Sequence, residues 1–96
     1  MAVVKQLTKR AEELHDGGSP DAALTLLRQT TEILSPAEMA SVLVLLRQQQ
    51  HDLLADNLIH IYGRDQTDQD VLYAAHELHE QGLPKDAGAI LRAALG

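Results

Sequence analysis

The segment AEELHDGGSPDAALTLLR, from Ala11 to Arg28, occurs a second time in the chain as AHELHEQGLPKDAGAILR, from Ala75 to Arg92. Aligned without gaps, the two segments are identical at nine of their eighteen positions. The identical pairs are Ala11/Ala75, Glu13/Glu77, Leu14/Leu78, His15/His79, Gly18/Gly82, Pro20/Pro84, Ala23/Ala87, Leu27/Leu91 and Arg28/Arg92. Such identity is far above what unrelated segments share, and it indicates a protein built from internal repeats.

A third and more divergent copy lies in the middle of the chain. The two obvious copies are 64 residues apart, and a step of half that length, 32 residues, leads to the middle copy. At this period Ser35 and Thr67 become equivalent helix caps. Apolar residues form four columns: Leu14, Leu46 and Leu78; Ala23, Ala55 and Ala87; Leu26, Leu58 and Ile90; Leu27, Ile59 and Leu91. We therefore predict a single domain, residues 1–96, with three helical hairpins at about 2–34, 35–66 and 67–96.

The composition predicts an all-α protein and excludes several classes of function. Good helix formers are frequent, and β-branched residues do not alternate with polar ones. The net charge of −6 argues against nucleic acid, which proteins bind largely through Lys and Arg. Because there is no Cys, disulfides and thiolate metal sites are excluded. No apolar run approaches the roughly 20 residues of a membrane span, so we predict a cytoplasmic protein that does not enter a membrane.

Turn and cap signals divide the chain into six helices. The predicted helices cover about 2–16, 20–34, 36–49, 52–62, 68–81 and 84–95. Gly18 and Gly82 are expected in the left-handed conformation that ends a helix, and Gly63 is expected to end the fourth helix. Ser19 precedes Pro20 and is a predicted N-cap. Ser35-Pro36-Ala37-Glu38 is a predicted capping box.

The middle hairpin is the most apolar, since it contains the VLVLL run from Val42 to Leu46 and a similarly apolar fourth helix. A helix that is apolar around most of its circumference is covered on more than one side. This pattern favours an α-solenoid, in which the central hairpin has two neighbours. A closed six-helix bundle, as in death domains, is the alternative architecture.

The columns resemble the tetratricopeptide and pentatricopeptide family of helical repeats. The positions that carry this resemblance are Leu7, Met39 and Val71, which open the first helix of each hairpin; Ala11, Leu43 and Ala75; Ala23, Ala55 and Ala87; and Thr30, Tyr62 and Ala94. The period is 32 residues, against about 34 in the tetratricopeptide family. The resemblance implies a non-enzymatic scaffold or adaptor that binds a protein segment.

The resemblance also implies an inner face on the first helices of the hairpins. Its candidate partner-binding residues are Lys5, Glu12, His15, Val44, Arg47, Gln48, Leu72, His76 and His79. One column, His15–Arg47–His79, consists of hydrogen-bond donors and would suit an acidic segment or a chain carboxylate. The alternative interpretation is that these residues follow the last apolar turn, where cations suit the helix C-terminus.

The sixth helix carries a second candidate interface, at Ala89, Ala93 and Leu95. Terminal repeats usually turn a polar face outward, but this helix is mostly apolar. An uncovered apolar patch marks an interface, so we expect it to pack on a second copy, another domain or a partner.

Other functions have weaker support in the sequence. His76 and His79, with neighbouring carboxylates, are residue types that bind metal ions. The spacing identifies no third ligand, however, and we assign no metal or cofactor. No phosphate-binding loop or nucleophile motif is present, so we do not expect an enzyme. A helix-turn-helix DNA-binding regulatory domain and a death-domain-like adaptor are the alternative functions.

Overall fold

The computed structural model describes residues 2–96, with side chains from residue 4 onward. Six helices make up most of this range, and none of the described residues forms a strand. The helices are α1, Ala2–Asp16; α2, Pro20–Thr31; α3, Pro36–Gln48; α4, Asp52–Asp65; α5, Asp68–Glu80; and α6, Pro84–Leu95. The predicted all-α class is confirmed.

The helices form three hairpins stacked in two layers. Helix α1 packs on α2, α3 on α4, and α5 on α6. Along the stack, α1, α3 and α5 form one layer, while α2, α4 and α6 form the other. Within residues 2–96 no extensive contact joins the first hairpin to the third. The arrangement is therefore the predicted stack of helical hairpins.

One hydrophobic core runs through all three hairpins, and its centre is the middle one. Met39, Val42, Leu43, Leu54 and Leu58 of the middle hairpin are all fully or almost fully buried. In contrast, only one stripe of each outer helix is covered. The prediction that the most apolar hairpin is covered on both sides is confirmed.

The turn inside each hairpin repeats at the period of 32 residues. Gly18, Gln50 and Gly82 have φ angles of 85°, 61° and 84°. In each turn the next residue donates its amide to the leucine of the first apolar column. These hydrogen bonds run from Ser19 to the Leu14 carbonyl at 2.9 Å, from His51 to Leu46 at 2.9 Å, and from Leu83 to Leu78 at 2.8 Å. This is the Schellman ending, and the middle copy forms it without the usual glycine.

The turns between hairpins use side-chain caps instead. The Ser35 hydroxyl accepts from the Glu38 amide at 3.1 Å, and the Glu38 carboxylate accepts from the Ser35 amide at 2.9 Å. Thr67 caps α5 in the same way, by accepting from the Asp70 amide. The predicted caps Ser35 and Thr67 are confirmed, and the predicted cap Ser19 is not. Ser19 makes no cap hydrogen bond, because its ψ angle of 61° differs from the extended backbone of Ser35 and Thr67.

Two helix ends differ from the prediction. Helix α4 continues through Gly63 to Asp65. A Cβ on Gly63 would lie 2.6 Å from the Cβ of Ala93 and 2.8 Å from the Ile90 carbonyl oxygen. The glycine therefore permits close packing of α6 on α4 and does not end the helix. Helix α2 ends at Thr31, before the predicted Leu34, because the amides of residues 33 and 34 turn back to the Thr30 carbonyl and Leu34 enters the core.

Candidate functional sites

The first polar cluster lies where the third hairpin packs on the second, and we call it the Arg47 cluster: Arg47, Asp52, Asp56 and Asp86. Arg47, in the last turn of α3, donates from Nε and Nη2 to both oxygens of Asp86 at 3.0 and 2.8 Å. Its remaining donors reach Asp56 and Asp52, each at 2.8 Å. Asp86 is on α6, and its side chain is only 10% exposed. One guanidinium thus joins two hairpins and satisfies a buried carboxylate.

The Arg47 cluster leaves little of this cation for a partner. The hydrogen bonds to Asp86 raise the pKa of Arg47, burial opposes this effect, and the bonds to Asp56 and Asp52 raise the pKa further. The guanidinium stays charged, and its donors are directed at the protein's own carboxylates. Of the column His15–Arg47–His79, the middle member is therefore engaged within the stack.

The second polar cluster lies where the second hairpin packs on the first, and we call it the histidine cluster: Glu12, His15, Asp16 and His51. The first three residues project from the last two turns of α1, and His51 precedes the first residue of α4. His51 Nε2 lies 3.3 Å from Glu12 Oε2 and 3.9 Å from Asp16 Oδ2, and His15 Nδ1 lies 3.6 Å from Asp16 Oδ1. The two imidazole rings are edge to face, with centroids 6.2 Å apart.

The histidine cluster is not satisfied by its own hydrogen bonds. Glu12 Oε2 and His15 Nδ1 are both shielded from solvent, and no described residue makes a hydrogen bond to either. The donor atoms of His15, Asp16 and His51 lie within 4.8 Å of one another, as ligands of one metal ion could. Unpaired buried polar atoms are rare in native proteins, so this cluster differs in kind from the Arg47 cluster.

The remaining inner-face residues are distributed over α1, α3 and α5. Lys5, Val44 and Gln48 line a shallow groove between α1 and α3. His76 lies 3.9 Å from Glu80, and both side chains are well exposed. His79 is also exposed. The structure thus places Glu12 and His15 in one cluster, Arg47 in another, and the other candidates elsewhere.

A groove of about 500 Å³ lies along α5 and α6 and is largely apolar. It is lined by Asp68, Val71, Leu72, Leu91, Ala94 and Leu95. Leu72 is 61% exposed and Leu95 is 90% exposed. Two predicted candidates, one from the inner face and one from the last helix, are therefore brought together here.

The other two candidates on α6 lie on a different side. Ala93 packs against Gly63, and with Ala89 it lines a cleft that also contains His60, Arg64 and Arg92. Arg64 belongs to α4 only because that helix continues past Gly63. Sequence reasoning that ended α4 early therefore missed a basic cleft between α4 and α6.

Sequence reasoning also missed His51 and Asp86. His51 is 36 positions after His15, and Asp86 is 39 positions after Arg47. In the repeat register, the equivalents of His51 and Asp86 are apolar or dissimilar residues. Neither residue therefore belongs to a column of similar side chains. The only signal was their polarity next to a turn.

None of the protein-family models, curated proteins or solved structures compared with the chain matches it. Among the helices in the described range, none combines the length and apolar character needed to cross a membrane.

Proposed function

We propose that the protein is a non-enzymatic, tetratricopeptide-like interaction module that binds an apolar-faced helical segment of a partner protein in the groove along α5 and α6. The observation that carries this proposal is the groove itself, with Leu72 and Leu95 exposed beside each other. Apolar patches of this kind mark interaction sites on soluble proteins.

The repeat register supports a helix as the occupant. Thirty-two positions earlier, the residues equivalent to Val71, Leu72, Leu91, Ala94 and Leu95 are Met39, Ala40, Ile59, Tyr62 and Gly63. All five equivalents are buried in the stack. Because α5 and α6 pack on α3 and α4, the groove corresponds to the surface on which the second hairpin receives the third. Another helix would fit it by the same packing.

The chemistry of the groove favours a helix with small and branched apolar residues on one face. Helices bind grooves through apolar anchors spaced three and four residues apart. Asp68 is at the edge of the groove, so a basic residue at one end of the bound helix would be favoured. This expectation differs from the acidic segment predicted for the donor column, because Arg47 is already engaged.

The proposal is tested by affinity capture from a cell extract, followed by binding of the purified candidate partner. The groove variant is Leu72→Glu. Leu53→Glu is a matched control, because Leu53 and Leu72 are both 61% exposed and Leu53 does not line the groove. We expect the wild type and the control to bind the purified partner, while the groove variant loses at least about tenfold in affinity, since a charge is desolvated at the interface.

Equal binding by both variants would contradict the proposed groove. Sedimentation analysis of the three proteins distinguishes a second copy as the occupant: a dimer that Leu72→Glu dissociates, with no other partner retained, would replace the partner segment by self-association. The absence of catalysis and the cytoplasmic location are parts of the proposal that rest on the sequence.

A further inference from the structure

We infer that the histidine cluster is a binding site for one divalent transition-metal ion of the zinc class, with His15, Asp16 and His51 as ligands and Glu12 as the fourth. The site would join α1 of the first hairpin to the start of α4 in the second. It is separate from the α5–α6 groove and does not depend on what that groove binds.

The distances between the side chains are close to those between ligands of one ion. Ligand atoms about 2.0–2.2 Å from zinc in a tetrahedron are about 3.3–3.6 Å from one another. The separations are 3.3 Å between His51 Nε2 and Glu12 Oε2, 3.6 Å between His15 Nδ1 and Asp16 Oδ1, and 3.9 Å between His51 Nε2 and Asp16 Oδ2. The donor atoms of His15, Asp16 and His51 all lie within 4.8 Å of one another, and the Glu12 carboxylate borders this group on the side of His51.

The lack of hydrogen bonds supports a metal rather than a closed polar network. Glu12 Oε2 lies close to His51 Nε2, but it accepts no hydrogen bond there, and His15 Nδ1 is likewise without a partner among the described residues. Two buried polar atoms left without hydrogen-bond partners cost free energy. A cation placed among them would satisfy both, because imidazole nitrogen and carboxylate oxygen bind it through their lone pairs.

The local backbone holds the site in place. Glu12, His15 and Asp16 share one face of α1, because positions three and four apart on a helix are neighbours. His51 is fixed by its amide, which donates to the Leu46 carbonyl in the Schellman turn. The ligands therefore come from two elements whose relative position is set by the repeat, as a structural metal site requires.

The donor types select the ion. Two imidazoles and carboxylates, with no thiolate, suit zinc, cobalt and nickel better than calcium or magnesium. Two carboxylates also balance the +2 charge of such an ion. A bound ion would hold the first and second hairpins together and would stabilise the folded protein, because ligands that bind only the native state do so.

The test is calorimetric titration of Zn²⁺ into protein prepared without a histidine tag and stripped with EDTA. We expect one equivalent to bind and the melting temperature to rise. His51→Gln and Asp16→Asn should each weaken binding at least about tenfold, since even loss of an outer-sphere partner costs 10- to 100-fold. His76→Gln is the matched control, because His76 also lies near a carboxylate but on an exposed face, and it should bind Zn²⁺ as the wild type does.

Three results would overturn the inference: no heat of binding, binding that His51→Gln and Asp16→Asn leave unchanged, or equal loss in His76→Gln. Asp16 is largely exposed, so Asp16→Asn keeps the test decisive if His51→Gln does not fold. Bound Co²⁺ gives an independent readout, since a tetrahedral nitrogen and oxygen site absorbs visible light much more strongly than the six-coordinate Co²⁺ that exposed histidines bind.

Discussion

The histidine cluster and the Arg47 cluster occupy corresponding places in the stack, yet they differ in how their buried polar atoms are paired. Each contains a residue of the His15–Arg47–His79 column, and each lies where one hairpin packs on the next. Around Arg47, a permanent cation satisfies the buried carboxylate of Asp86. Around His15, none of the described residues makes a hydrogen bond to the buried Glu12 Oε2 or His15 Nδ1. Two interfaces between repeats can therefore share one backbone arrangement and differ in chemistry. In the interface at Arg47 a side chain pairs with the buried carboxylate, and in the interface at His15 we infer that a metal ion does so.

The largest expected effect is at the Arg47 cluster. Replacing Arg47 by Met keeps the length of the side chain but leaves Asp86 buried without its cation, so the free energy of unfolding should fall by about 3 kcal/mol. Urea denaturation measures the change. Asp52→Asn is the control, because Asp52 is two-thirds exposed and its pair should contribute less than about 1 kcal/mol. Equal losses in the two variants would mean that Asp86 is not the group that needs the cation.

The next effect concerns Gly63, at the other end of the interface between the second and third hairpins. Gly63→Ala places a Cβ against Ala93 and Ile90, and overpacking of this kind should cost about 2 kcal/mol. The added Ala93→Gly should recover part of the loss by removing one of the two clashes. Gly88→Ala, also in a helix, meets only the flexible Arg92 side chain and should be neutral or stabilising by up to about 1 kcal/mol. Thermal unfolding that ranks the two alanine variants alike would show that α4 and α6 are not closely packed at Gly63.

These two predictions also show what the sequence could and could not provide. The period of 32 predicted the helices, the hairpins and the capped starts at Ser35 and Thr67, because those features depend on neighbours in the chain. It could not predict that Gly63 allows close packing of α6 on α4. A glycine that ends a helix and a glycine that permits close packing look the same in the local sequence. The partners of Arg47 and His15 could not be predicted from the sequence either, because contacts between hairpins depend on how each helix is rotated about its axis.

A smaller effect concerns the turn that positions His51. Gln50 has a φ of 61°, while its equivalents are glycines. Gln50→Gly should raise the free energy of unfolding by about 1 kcal/mol, because the left-handed conformation costs a residue with a Cβ roughly this much. Gly82→Ala should lower it by a similar amount, although no atom lies within 4 Å of the added Cβ. If Gln50→Gly also weakened Zn²⁺ binding, the turn would be shown to hold His51 in place. Destabilisation by Gln50→Gly would contradict the predicted strain.

The last effect is absent near neutral pH and develops only at alkaline pH. Burial, reinforced by the charge of Asp70, raises the pKa of Tyr62 from its ordinary value of 10 to about 12. The folded state thus favours the protonated tyrosine. Its contribution to the free energy of unfolding is complete below pH 10 and is lost as the pH rises towards 12. Stability should fall by about 1 kcal/mol per pH unit in this range. In Tyr62→Phe this part of the decline should be absent, and an unchanged decline in urea melts at pH 9–12 would exclude Tyr62 as its source.

Anomalous diffraction at the zinc absorption edge tests the contrast between the two clusters most directly. Crystals grown from EDTA-stripped, tag-free protein with one equivalent of Zn²⁺ should give a single strong peak among His15, Asp16 and His51. The Arg47 cluster should give none, because its carboxylates already have a cation. A zinc peak among Asp52, Asp56 and Asp86, or no peak beside His51, would contradict the account.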